Sequence, residues 1–272
     1  MPICKLCEAN FDNSKALKES HIIPRFMFVK SKGRNGRSIV YRESLDSLEV
    51  SQEDWKQPML CENCEQKLST KYEIYMNEIL YLRRKTNDIC TCDQRIVLEA
   101  DADKMALSLI TIFWRAAVSN MDEFRLTVAP DYVLEEMRQW IINESIVPNW
   151  DRLIGIKIVE VMAGPEDTLF SIVPPFFESK FDHFDFIFVC GGFMLTYTMP
   201  PTWSKGFSRM TSLCAGSPIV WIERENYRDI PVMNRLINAM KGASIPESIR
   251  KLQERDAIKS GGSRPKRFKR EA

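Results

Sequence analysis

Cys4-Lys5-Leu6-Cys7, Ser20-His21-Ile22-Ile23-Pro24 and Leu60-Cys61-Glu62-Asn63-Cys64 form the split frame on which this chain is read. The two Cys-x-x-Cys knuckles stand fifty-three residues apart, with a histidine in the gap. A knuckle points two sulfurs at one ion about 2.3 Å away, so two knuckles fill a tetrahedral zinc and leave no position open for chemistry. The zinc expected on Cys4, Cys7, Cys61 and Cys64 is therefore structural. Cys90, Cys92, Cys190 and Cys214 are spare in this reading.

Outward from that frame, 272 residues with 44% hydrophobic side chains can bury a sizeable core. No run reaches the roughly 18 apolar residues that a membrane span needs. Met1 leads straight into the first knuckle, and thiols paired like metal ligands suit a reducing compartment, so the expected location is cytoplasmic, with no membrane partner. The net charge of +1 decides nothing about nucleic acid, but its distribution is uneven. Lys30, Lys32, Arg34, Arg37 and Arg42 follow one another without an acid and read as a basic loop. The tail from Gly261 carries five basic residues against Glu271, which leaves −3 for residues 1–260.

Three parts are expected: residues 1–88 as a zinc-bound head, 89–258 as an α+β body, and 259–272 as a disordered basic tail. In the head, Ile22-Ile23 and Phe26 to Val29 around Pro24 read as a short edge strand, and Ile39 to Tyr41 as a returning strand. Ser44 to Gln57 reads as irregular. Leu68, Tyr72, Tyr75, Met76, Ile79 and Leu80 recur at helical spacing, so a helix is expected from Glu62 to Arg84. In the body, Asp101 is placed to cap a helix running to Ser119, and Pro130 to start the next one. Beyond Leu153 the texture turns to strands, with Gly191-Gly192 as a hairpin dipeptide and two short helices from Val232 and Pro246. The expected class is α+β, a zinc-stapled head followed by helices and a mainly antiparallel sheet.

The order Cys4-x-x-Cys7, Ser20-His21-Ile22-Ile23-Pro24, Leu60-Cys61-x-x-Cys64 resembles the HNH endonucleases, the ββα-metal nuclease superfamily, over residues 1–85. The resemblance implies that His21 is the general base that activates water against a phosphodiester. It also implies one divalent ion, magnesium or manganese, held by the residue before that histidine and the residue after the second knuckle. Those positions are Ser20 and Glu65, where the family has a carboxylate or histidine and a histidine. Glu65 is a hard oxygen ligand suited to either ion. No counterpart of the family's middle asparagine precedes Leu60, Gln57 being the nearest amide. Arg25, Lys30, Lys32, Arg34 and Arg37 are the residues expected on a nucleic-acid backbone. The resemblance suggests DNA as substrate, a possible protein partner in a multi-component system, and antiviral or mobile-element defence. The alternative is a non-catalytic zinc module that docks nucleic acid or protein.

Overall fold

A computed structural model of the chain describes residues 1–12, 17–32, 38–42, 47–51, 54–82, 95–162, 172–179, 183–199, 212–231 and 233–234. Arg34, Arg37, Cys90, Cys92, the helix expected from Pro246 and the basic tail lie outside the described residues, as does most of the helix expected from Val232.

The head is built on two strands, β1 (Leu17–His21) and β4 (Lys56–Cys61), which pair antiparallel. Leu17 stands opposite Cys61 at one end and His21 opposite Lys56 at the other. The register slips between Lys18 and Glu19, facing Leu60 and Pro58. Pro58 has no N–H for the ladder, which is the ordinary setting for such an irregularity.

Between these strands lie a helix, α1 (Arg25–Ser31), and a second antiparallel pair, β2 (Ser38–Arg42) with β3 (Ser47–Ser51). The edge strand expected around Pro24 is thus overturned. The strand stops at His21, Pro24 caps a helix, and Met27, Phe28 and Ser31 are buried at helical spacing while β-branched Val29 is left exposed. β2 accordingly pairs with a strand inside the stretch read as irregular, rather than with residues 22–29.

The second knuckle opens a helix, α2 (Glu62–Lys67), which continues through a π-helical segment (Leu68–Glu73), α3 (Ile74–Asn77) and a second π segment (Glu78–Leu82). The expected apolar stripe is its core face: Leu68, Tyr72, Met76, Ile79 and Leu80 are buried. The antiparallel strand pair and the helix that follows thus carry His21 and the second knuckle, while the first knuckle lies in a turn before β1.

In the body, α4 (Ala102–Ala117) begins as expected, with Asp101 accepting from the Lys104 amide at 2.9 Å. Pro130 caps α5 (Asp131–Asn143) from just outside the helix. The strands are β5 (Arg95–Glu99), β6 (Gly155–Met162), β7 (Val173–Ser179), β8 (Phe184–Cys190), β9 (Phe193–Met199) and β10 (Ile219–Asn226). They form one six-stranded sheet in the order β5-β10-β6-β9-β8-β7, antiparallel except between β10 and β6. Strand β5 is an addition to the sequence reading.

Gly191 and Gly192 both take positive φ, 66° and 88°, so the β8–β9 hairpin turns where the dipeptide indicated. That turn meets the head. Ser31 Oγ accepts the Gly191 N–H at 2.6 Å, Tyr81 donates to the Gly191 carbonyl at 2.6 Å, and a Cβ on Gly191 would lie 2.2 Å from the Tyr81 hydroxyl. Buried residues of the strand pair, the head helices, α4, α5 and the sheet belong to one hydrophobic cluster. Among the described residues no helix is long and apolar enough to cross a membrane.

Candidate metal centre and histidine site

At the Leu17/Cys61 end of the strand pair, the sulfurs of Cys4, Cys7, Cys61 and Cys64 all lie within 4.8 Å of one another. Four ligands with 2.3 Å arms set at tetrahedral corners stand about 3.8 Å apart, and Cys7 Sγ is 3.8 Å from Cys61 Sγ. All four are free thiols. The cluster can hold a structural metal ion such as zinc.

Local backbone explains why the sulfurs converge. Glu8 takes a left-handed φ of 59° and its N–H returns to the Cys4 carbonyl at 2.8 Å, closing the first knuckle into a turn. The Lys5 amide donates to Met59 at 3.1 Å, and the Cys61 amide donates to Cys4 Sγ at 3.3 Å, which ties that turn to β4. From the body, Arg138 on α5 donates to the Leu6 carbonyl at 2.7 Å. The Cys64 thiol donates to Cys4, drawing Cys4 down to about 4 and pushing Cys64 up. Metal binding must therefore displace protons, and affinity rises with pH.

At the opposite end of the strand pair sits His21, with 22% of its side chain exposed. Asp54 lies 3.8 Å from His21 Nε2, too far for a hydrogen bond but close enough to act through charge, and it also binds Lys32 at 2.5 Å. Burial pulls the imidazole below its ordinary 6.5. Asp54 and Glu73 pull it back up, while Arg115 and Lys56 add to the fall. At neutral pH His21 is thus an uncharged base with one face toward solvent.

Behind it, Ser20 is fully buried, its hydroxyl donates to the Lys18 carbonyl at 3.4 Å, and its side chain acts on the Glu65 carboxyl. Glu65 Oε2 is sealed from solvent without a hydrogen-bond partner. Burial pushes this carboxyl up from its usual range, against the polar Ser20 side chain and the Arg115 charge. The two residues at the positions the resemblance marks as metal ligands are thus a buried hydroxyl and a carboxylate with one sealed oxygen. Among the described residues, the four cysteines are the only group of three or more such ligands that converge on one point. A hydroxyl and one carboxylate beside a guanidinium are a poor match to the six or so oxygens that magnesium or manganese gathers, so the donor set does not fit the catalytic ion the resemblance implied.

The basic residues are differently disposed. Arg25 is exposed at the start of α1, Lys30 lies over the Tyr81 ring at 5.3 Å, and Lys32 is held by Asp54. Gln57, opposite Ser20, accepts the Asn120 amide at 3.2 Å.

Four residues around His21 escaped the sequence reading: Asp54, Lys56, Glu73 and Arg115. Arg115 left a signal, as a lone charge in the apolar run of α4, since buried charges need partners. Its partner is Glu73, with Nη1 to Oε1 at 2.9 Å. Glu73 was harder to find. In a regular helix it would stand about 80° from Glu65, but the wider turn of the π segment intervenes, and the charge of Glu73 bears on both Glu65 and His21.

Set beside known protein families, curated proteins and solved structures, the chain matches none.

Proposed function

We propose that the head is a nucleic-acid phosphodiesterase in which His21 is the general base. The observation that carries this reading is the His21 environment: an imidazole held neutral by burial, part exposed, opposite Lys56 and facing Asp54, which also holds Lys32. A neutral imidazole takes a proton from water as the water oxygen bonds to phosphorus. The phosphorus–oxygen bond to the leaving sugar breaks, and that oxygen regains a proton from solvent. Lys56 and Arg25, both exposed, are placed to meet backbone phosphates, contacts that position the substrate without reading its sequence. DNA as the substrate, a protein partner and a role in defence follow the resemblance of the head to the HNH endonucleases. No step is routed through magnesium or manganese.

The test is incubation of zinc-replete protein with plasmid DNA and with RNA, comparing the wild type with His21→Ala. Nicking by the wild type that falls at least about 100-fold in His21→Ala, with zinc content and melting temperature kept, supports the reading. Wild-type protein that cuts neither substrate defeats it.

A second reading is favoured by the burial of Ser20 and of Glu65 Oε2. With the family's ligand pair turned inward, the same frame serves as a zinc module that docks nucleic acid or protein without cutting it. Retained DNA binding with no cleavage by either protein would establish that reading.

A further inference from the structure

We infer that Arg138, on α5 of the body, is the latch of the sulfur centre: its guanidinium grips the first knuckle on both sides of Cys7, so that retention of the metal ion is governed by a residue that is not itself a ligand. This role is independent of the phosphodiesterase reading, since it concerns holding the ion and not hydrolysis.

The two knuckles are secured in different ways. Cys61 ends β4 and Cys64 lies in α2, so the second knuckle is built into the strand pair and the helix that follows. The first knuckle lies in a turn before β1, and Cys7 is exposed where the other three cysteines are buried. On the Cys4 side that turn is tied to β4, through the Lys5 amide to Met59 at 3.1 Å and the Cys61 amide to Cys4 Sγ at 3.3 Å. On the Cys7 side the support comes from the body. Arg138 Nη1 donates to the Leu6 carbonyl at 2.7 Å, and Nη2 lies 3.3 Å from the Glu8 carboxylate. Leu6 and Glu8 flank Cys7, so one guanidinium spans both neighbours of the exposed ligand.

The fork is itself held in place. Glu135, one turn earlier on α5, accepts from Nε and from Nη2 at 2.7 Å each, and Gln139 donates to Glu135 at 2.8 Å. The Arg138 side chain is only 12% exposed, and the buried Met137, Trp140 and Ile141 anchor this stretch of α5 in the core. A bidentate carboxylate fixes the plane of a guanidinium, which a lysine ammonium, as a point charge, cannot reproduce. Glu8 and Glu135 both place negative charge against Arg138, so what it supplies to the knuckle is a fixed fork rather than net positive charge. Arg138 is therefore a positioning residue for Cys7.

The test uses full-length, zinc-loaded protein and excess of the chromogenic chelator pyridylazoresorcinol, read as the rate of zinc release. The chelator's donors replace the thiolates on the ion, and the thiolates take up protons from water. Arg138→Met should release zinc at least about tenfold faster than wild type, because residues that orient metal ligands are worth about 10-fold to 100-fold in metal affinity. Arg138→Lys should fall close to Arg138→Met, since it keeps the charge and loses the fork. Lys71→Met removes the ion pair to Glu144 at the C-terminal end of α5 and should release zinc at the wild-type rate. A wild-type rate in folded Arg138→Met would overturn the inference. Lys71→Met releasing as fast as Arg138→Met would also overturn it, because the effect would then be one of helix stability. If Arg138→Met does not fold, the exposed Glu135→Gln decides: it loosens the fork and should speed release, and a wild-type rate would remove the latch. Failure of the nuclease reading shows separately as absence of cleavage, because zinc release is measured without substrate.

Discussion

The two ends of the β1–β4 strand pair carry two ligand sets with opposite outcomes. At the Leu17/Cys61 end, four sulfurs converge to the spacing of one tetrahedral ion. At the His21/Lys56 end, the Ser20 hydroxyl donates to the Lys18 carbonyl, Glu65 keeps one oxygen sealed from solvent, and Arg115 is paired with Glu73. The difference teaches that ligand spacing along a chain is decisive only when the ligands share a local turn. A Cys-x-x-Cys turn aims its own sulfurs. Ser20 and Glu65 belong to separate elements, and what they bind depends on what third element packs against them.

The largest effect expected from breaking this comparison is at the sulfur end. Cys61→Ser removes one of four thiolates, and structural zinc contributes on the order of 10 kcal/mol to small metal-folded units. Elemental analysis should show less than half an equivalent of zinc, with loss of the head's near-ultraviolet signal. A folded, zinc-free variant would mean that the body alone supports the head.

Next comes the buried ion pair. Arg115→Met leaves Glu73, whose side chain is only 16% exposed, without its partner, a change that costs about 3 kcal/mol or more in comparable buried pairs. Adding Glu73→Gln should recover part of that loss, and denaturant unfolding of both variants and of Glu73→Gln alone gives the coupling. Equal stability of Arg115→Met and wild type would show that the pair is not structurally committed.

His21→Ala should leave stability nearly unchanged while cleavage falls, which separates the chemistry of this end from its architecture. Because His21 is 22% exposed at the end of a short strand, truncating it opens no sealed cavity. A shift in melting temperature as large as that of Arg115→Met would make His21 a structural residue.

The smallest effect sharpens the electrostatics. Since burial lowers the folded-state pKa of His21 below 6.5, the neutral form persists through neutral pH. The acid limb of any cleavage profile should therefore fall below pH 6.5. The same shift bears on stability: between the folded pKa and 6.5 the unfolded chain binds the extra proton, so this contribution is present above 6.5 and is lost as pH falls through that window. Asp54→Asn removes the charge that raises the imidazole most and should move the limb to still lower pH, measured by rate against pH or by the His21 ring resonance. A limb moved upward would place Asp54 elsewhere in the charge balance.

Much of the molecule was legible before its fold. The knuckles, the apolar stripe from Leu68 to Leu80, the Asp101 cap and the Gly191-Gly192 turn are all written within a few residues, because each rests on the backbone geometry of one element. The α+β class and the mainly antiparallel sheet follow from those local signals. The edge strand around Pro24 failed for the same reason that the others succeeded. Its β-branched residues suggested a strand, but burial of Met27, Phe28 and Ser31 on one side favoured a helix, and only the packed neighbours show which side is inside.

The histidine site was decided by tertiary structure. His21, Glu65, Glu73 and Arg115 come from a strand end, a helix, the π-helical stretch that follows it, and a second helix 42 residues beyond Glu73. The sequence by itself determined that four cysteines form a set that could hold one metal ion and that one histidine lies between its halves. Whether a second set of polar residues becomes a metal site, an ion pair or a hydrogen-bonded pair depends on which charges the packed core brings within a few ångströms of each other, where low dielectric magnifies their interaction. That proximity is a property of α4 packing against the helix that starts at the second knuckle, and no local spacing in the chain encodes it.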